Sequence, residues 1–379
     1  MDSMKRLELI SRNTEEVLTQ EDLRQLIEQG IKLNHYIGFE ISGKIHLGTG
    51  LMAMQKVKDF MDAGVDCSVF LADWHTFINN KLGGDWDFIK QVAVGYFKEG
   101  MKASIKCFGG DEEKLKFVLG SDLYHNNDDY WQTVIDIAKN TSLARTLRSI
   151  TIAGRTEGEA VNFALLMYPM MQVADIFIQG LNIAHAGMDQ RKAHVIARDV
   201  ALKLKFKPVK KPSGEAFKPI AIHHPLILGL QQPPVWPIAP ENIKAVLSEM
   251  KMSKSIPSSA VFITDEPEVI RQKLKKAFCP EKNTDFNPVL NWAQRLVFSR
   301  DKEVLEIERP EKFGGNITYT SFADLEKDFA EGKLHPMDLK SGVAEKLVEL
   351  LEPARKHFEQ PKFNLSRLES ISSSQSSRQ

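Results

Sequence analysis

Cysteine is scarce in this chain, with three in 379 residues. Cys67, Cys107 and Cys279 are odd in number and far apart, which argues against a disulfide framework or a zinc cluster and fits a reducing, cytoplasmic setting. An uninterrupted apolar run is missing as well. The most apolar stretch, Ala160 to Gly180, is broken by Asn162, Pro169, Gln172 and Asp175, so it reads as a buried helix with a polar stripe and not as a membrane span. The first residues are charged and polar, so no secretory leader is expected. Nor is there an excess of either charge: 50 Lys and Arg balance 50 Asp and Glu, so a nucleic acid would have to be held by local basic patches. No internal repeat is visible. Residues 363–379 are rich in Ser and Gln and almost without apolar side chains, and are expected to be disordered.

What remains is ordinary globular composition, 42% hydrophobic and 26% charged, in a chain long enough for one large α/β domain and a smaller one. The stretch from Tyr36 to Gly50, YIGFEISGKIHLGTG, organises the rest. Apolar Tyr36 to Phe39 reads as a buried strand, the Ser- and Gly-rich segment as a turn, and Leu51 to Met61 as a helix. Such a strand–loop–helix junction lies at the carboxyl end of a parallel strand, where backbone N–H groups and a helix N-terminus receive phosphate. The glycine spacing matches neither G-x-G-x-x-G nor the phosphate loop ending in Gly-Lys-Ser/Thr. Further strands are expected at Cys67 to Ala72, Lys116 to Leu119, Asn182 to His185 and Val261 to Thr264, alternating with helices at the spacing of a parallel sheet with right-handed crossovers. Thr19 and Asp22 form a capping pair for a first helix, and Asp265 is expected to cap another that runs to Phe278. From about Glu266 helical spacing dominates. The predicted organisation is a Rossmann-like parallel-sheet catalytic domain over 1–264, a mostly helical domain over 265–362, and the tail.

Tyr168, Gln172 and Asp175 fall at i, i+4 and i+7 on one face of an otherwise apolar helix. Three buried polar side chains in register point to a pocket lining, although mutual hydrogen bonds around a kink at Pro169 would also satisfy them. A carboxylate, an amide and a phenol suit a small zwitterion with an aromatic body. Far downstream, Lys251 to Ser255 reads KMSKS. HLGTG and KMSKS, in this order and at this separation, resemble the paired signatures of class I aminoacyl-tRNA synthetases. With YPMMQVAD, GMDQRK, RPEKFGG and LHPMDLK added, the chain up to about residue 360 resembles the archaeal and eukaryotic-type tyrosyl-tRNA synthetases.

The resemblance implies tyrosine activation by ATP followed by transfer to tRNA(Tyr). It implies that Tyr36 and Asp175 hydrogen-bond the substrate phenol and that Tyr168, Gln172 and Gln190 hold its ammonium group. His46, Lys251 and Lys254 would be catalytic, acting on phosphate by position and charge with no protein nucleophile. Gly48, Thr49, Met252, Ser253 and Ser255 would lie along ATP. Thr49 stands where the wider class often has a second histidine; its hydroxyl donates a hydrogen bond and carries no charge. Magnesium is expected with ATP, without a dedicated carboxylate cage. Arg148, Arg191 and Lys192 would meet the acceptor stem, Arg145 and Arg155 extending a basic stripe, and His335 and Asp338 would read anticodon bases. Local physics offers bland readings beside these: a solvated basic face for the first set, and for Asp338 a carboxylate favouring a helix N-terminus next to Pro336. A homodimer through the helices between Asp129 and Ala153 is implied, with neither membrane nor DNA as partner. Three rivals share parts of the pattern: a tryptophanyl-tRNA synthetase, a small-molecule adenylyltransferase, and a non-catalytic RNA-binding relative.

Overall fold

Asn34 to Phe39 is extended because its residues must be buried on both faces of a central strand, and every neighbouring element follows from that. In the computed structural model, which describes residues 1–155, 162–253 and 256–360, six strands form the main sheet. They are β1 (Glu16–Leu18), β2 (Asn34–Phe39), β3 (Asp66–Leu71), β4 (Lys116–Leu119), β5 (Ile183–Gly187) and β6 (Ile220–His224). Their order is β1-β6-β5-β2-β3-β4, all parallel except β1, which runs antiparallel to β6. The chain leaves β2 towards β3 and β4 on one side and returns to β5 on the other. The carboxyl ends of β2 and β5 therefore flank a topological switch point, where open α/β sheets bind ligands.

Alternation along the strands divides the core. Ile37, Val69, Ile183 and Ile222 face the helices Gln20–Glu28, Ala53–Asp62 and Lys98–Lys106. Tyr36, Phe70 and Ala184 face Asp128–Lys139, Phe163–Ile178 and Arg191–Val200. The Thr19 side chain accepts from Asp22 N, as its spacing predicts.

Three differences from the expected elements have local causes. β1, of only three residues, is held by its pairing with β6 and has no pattern of its own to reveal it. Val261 to Thr264 makes no strand: Phe262 forms a bridge with His46, and the chain then turns through Ile263 and Thr264, with Asp265 N–H bonded to the Phe262 carbonyl at 3.0 Å. Asp265 does not cap the Pro267–Lys276 helix, whose N-cap position is Glu266; its carboxylate instead accepts from Phe262 N at 2.9 Å and from Lys273 Nζ at 2.7 Å. Beyond it, β7 (Leu305–Ile307) and β8 (Ile317–Tyr319) form a small antiparallel pair, and Pro336–Phe358 is the last helix. The expected disorder of 363–379 concerns residues outside those described.

Candidate active site

At the switch point lies a cavity of about 540 Å³. Its walls bring together side chains predicted from four distant stretches: Tyr36; His46, Gly48 and Thr49; Tyr168, Gln172, Asp175 and Gln190; and Lys251, Met252 and Ser253. Lys254 and Ser255 fall outside the described residues.

One end is closed and aromatic. Asp175 is 1% exposed and accepts from Tyr124 Oη at 2.8 Å, with His75 Nε2 at 3.9 Å. Burial holds the Asp175 carboxyl well above the usual carboxylate range, against the opposing pull of Tyr124 and Tyr130. The Tyr36 phenol is raised by burial and then by the charge of Asp175, so it stays protonated and able to donate. His75 is driven to about 4 by burial and is a neutral ring. Midway along the cavity, Tyr168 donates to Glu40 Oε1 at 2.9 Å, which directs its oxygen lone pairs elsewhere. Gln172 Nε2 donates to Gln190 Oε1 at 3.2 Å, and Gln190 Nε2 to the Ile152 carbonyl at 2.9 Å. Gln172 Oε1 is left buried with no hydrogen-bond partner. A buried acceptor beside a carboxylate is a receptor for an ammonium group.

The other end carries the hydrogen-bond donors of the two signature segments. His46 Nδ1 accepts from the N–H groups of Gly48 at 3.1 Å and Thr49 at 3.3 Å, which places the ring proton on Nε2, 3.3 Å from Thr49 Oγ1. A Cβ at Gly48 would lie 3.0 Å from that ring, so glycine is what lets the loop fold under it. Lys251 pairs with Asp189 at 2.7 Å.

The predicted RNA contacts lie elsewhere. Lys192 Nζ donates to the Arg148 carbonyl at 2.7 Å, and Arg191 makes a two-pronged bond to Glu16 on β1. The stripe is not continuous: Arg145 pairs with Asp199, and Arg155 turns to Asn79 Oδ1. His335 Nδ1 accepts from Met337 N and caps the last helix, with Asp338 in its first turn.

Among the residues that the sequence reading did not single out are Glu40, His75 and Asp189 on the cavity wall and Tyr124 behind it on Asp175. Each follows the carboxyl end of a parallel strand, β2, β3, β4 and β5 in turn. That placement is the signal that would have found them.

The family model of class I tRNA synthetases for tryptophan and tyrosine (W and Y) matches residues 29–352. The chain belongs to the class I tyrosyl-tRNA synthetase family. It is 60% identical over 373 residues to the tyrosine–tRNA ligase of Thermococcus sibiricus, covering 98% of this chain and 99% of that one. With the tyrosine–tRNA ligase of Thermococcus kodakarensis it shares 61% over 361 residues, 95% of this chain and 96% of the other. A crystal structure of tyrosyl-tRNA synthetase complexed with L-tyrosine from Pyrococcus horikoshii superposes with a TM-score of 0.94 at 57% identity, covering 99% of this chain and all of that one. Class I tRNA synthetases use ATP, and in this synthetase the cavity offers an aromatic closed end and, at the other, His46 and the Lys251–Asp189 pair.

Proposed function

We propose that the chain is a tyrosine–tRNA ligase: it joins L-tyrosine to ATP as tyrosyl-adenylate with release of pyrophosphate, then passes the tyrosyl group to the 3′-terminal adenosine of tRNA(Tyr). The observation that carries the reading is a buried carboxylate, Asp175, with Tyr36 and Tyr124 at the closed end of an otherwise aromatic pocket. A phenol entering there meets an acceptor at Asp175 and a donor at Tyr36. Phenylalanine leaves both unpaired, and an indole brings no hydroxyl to meet them.

Glu40, Gln172 Oε1 and the Tyr168 oxygen then surround the ammonium group, with Gln190 orienting Gln172. The substrate carboxylate attacks the α-phosphorus and pyrophosphate leaves, while His46 Nε2–H and Lys251, exchanged from Asp189, stabilise the phosphate oxygens. Lys254 has the same role. Magnesium would come with ATP, on its phosphates. Arg148, Arg191 and Lys192 line the approach of the acceptor stem, and His335 and Asp338 stand where the anticodon docks, in a helical part that begins near residue 265. Two copies pair through the helices Asp128–Lys139 and Leu143–Ser149, where Ile135, Leu143 and Leu147 are 57%, 64% and 42% exposed. The setting is the cytoplasm, in keeping with free cysteines; among the described residues no helix is long and apolar enough to cross a membrane.

The test is amino-acid-dependent exchange of pyrophosphate into ATP with tyrosine, phenylalanine and tryptophan, for wild type and Asp175→Ala. Exchange with tyrosine alone is expected, weakened at least ~10-fold in the variant by loss of the buried hydrogen bond to the phenol and the group it leaves unpaired. Exchange with tryptophan, or with no amino acid, would overturn the reading.

A further inference from the structure

Three buried histidines on the other face of the sheet have no part in the chemistry above. His35 on β2, His185 on β5 and His224 on β6 are 1%, 0% and 6% exposed. In the strand register His35 stands opposite Ile183, His185 opposite Ile37 and Ile222, and His224 opposite Gly187. Each histidine is thus two residues further towards the carboxyl edge than the last, and all three lie on one face. The result is a staircase climbing diagonally across three strands. His35 Nε2 is 3.1 Å from His185 Nδ1, and His185 Nε2 is 2.8 Å from His224 Nδ1. The top step, His224, lines the cavity.

The direction of these hydrogen bonds follows from counting protons. Burial lowers His35 to about 3, His224 to about 4 and His185 well below its ordinary range, so each ring is neutral and carries one N–H. His185 uses both nitrogens, which leaves two arrangements. In one, all three rings are protonated at Nε2, each donates upward, and the residue of the count is a bare lone pair at His35 Nδ1. In the other, all are protonated at Nδ1 and a buried N–H at His35 points at nothing. His35 Nδ1 has no hydrogen-bond partner, and a buried orphan N–H is the rarer defect. The nearby charge of the buried Lys56 ammonium bears on His35 and favours a lone pair over an N–H. The upward arrangement is selected.

We propose that His224 is a nucleotide-binding residue whose Nε2–H is aimed at an acceptor oxygen of ATP, and that His35 and His185 are positioning residues that fix its tautomer from beneath. This rests on the ligase reading for the identity of the nucleotide. Among the described residues Nε2 of His224 has no hydrogen-bond partner. The space before it is kept open by Gly187: a Cβ there would come within 3.4 Å of that nitrogen, 2.9 Å of Asp189 Oδ1 and 3.0 Å of Leu226 Cδ2. Asp189 is the partner of Lys251, so the donor stands at the phosphate-handling end. A neutral donor of fixed tautomer costs no proton rearrangement when the nucleotide arrives, which a solvated histidine would.

The test uses the full chain labelled with ¹⁵N-histidine, read by long-range ¹H–¹⁵N correlation at neutral pH, with and without α,β-methylene-ATP. All three rings are expected as Nε2–H tautomers, with the His224 Nε2–H resonance moving on addition of the analogue. His224 found as Nδ1–H or charged, or unmoved by the analogue, would overturn the proposal. In exchange kinetics His224→Ala is expected to raise KM for ATP ~5-fold with KM for tyrosine unchanged, and His224→Gln, which keeps a terminal donor, to restore most of the loss. His35→Phe, remote from the cavity wall, is expected to give a mixed His224 tautomer and a smaller rise in KM for ATP; a merely structural role would lower stability and leave the tautomer alone. Should wild type show no tyrosine-dependent exchange, the ligase reading falls, while the tautomer and the analogue-induced shift still decide the staircase.

Discussion

Asp175 is an acid buried in the wall of the cavity, and the consequence is a proton balance. In the unfolded chain it ionises near the ordinary value of about 3.9; in the fold burial holds it well above that. Between the two values the native state binds one proton more than the unfolded state, so stability falls as pH rises through that window. Asp175→Asn removes the imbalance. Urea unfolding at several pH values between 5 and 7 should therefore show the variant gaining on wild type as pH rises, by at most ~1.4 kcal/mol per pH unit. A constant difference would mean that Asp175 is ionised in the ligand-free fold. The helix face that bears this residue was legible beforehand, because Tyr168, Gln172 and Asp175 repeat at helical spacing against an apolar background. Tyr124 and Glu40 were not, since nothing in their own neighbourhoods marks them. Glu40 reaches the cavity and Tyr124 reaches Asp175 only through the order in which strands are laid side by side, a long-range property with no local trace.

At the level of elements, the HLGTG turn shows why glycine recurs in it for different reasons. Gly48 makes room for the His46 ring, whereas Gly50 is a packing position. A Cβ at Gly50 would fall 2.7 Å from Ile263 Cγ2, 2.9 Å from Ser104 Oγ and 3.0 Å from Ile45 Cγ2. Those neighbours belong to the loop before the turn, the Lys98–Lys106 helix and the chain after the signature loop, so one methyl would push three elements apart. Gly50→Ala is expected to cost ~1–3 kcal/mol, the usual range for overpacking a full core, seen as a lower Tm by circular dichroism; an unchanged Tm would show that the contact relaxes freely. The same junction explains a strand that failed to appear. Val261 to Thr264 is apolar and β-branched enough to be a strand, yet it meets the Ile45–Leu47 segment through only two backbone bonds, from Leu47 N–H to the Val261 carbonyl and from Ile263 N–H to the Ile45 carbonyl, and the chain then turns at Ile263 and Thr264. Apolar pattern reports burial well and hydrogen-bond partners poorly.

Across the whole molecule, one buried core runs past residue 265, where a division is expected from the sequence. Ile45 and Leu51, beneath the signature turn, belong to the same buried cluster as Trp292, Leu347, Leu351 and Phe358. Thermal unfolding should accordingly give one cooperative transition, coincident by near- and far-ultraviolet circular dichroism. Two resolved transitions would show that the helical part unfolds as a unit of its own. The last helix carries a further consequence. Its 23 residues span about 35 Å. His335 and Asp338 stand at its start, and at its finish the Phe358 ring lies 5.8 Å from that of Tyr96, with His357 bonded to Glu99 at 3.0 Å. The Tyr96 hydroxyl in turn accepts from the backbone N–H of Ile45, one residue before His46. In mechanical terms the helix is a strut: a load applied near Asp338 is carried towards the root of the signature turn along one continuous helix, whose softest point is Pro353, near its end, where a backbone hydrogen bond is lost.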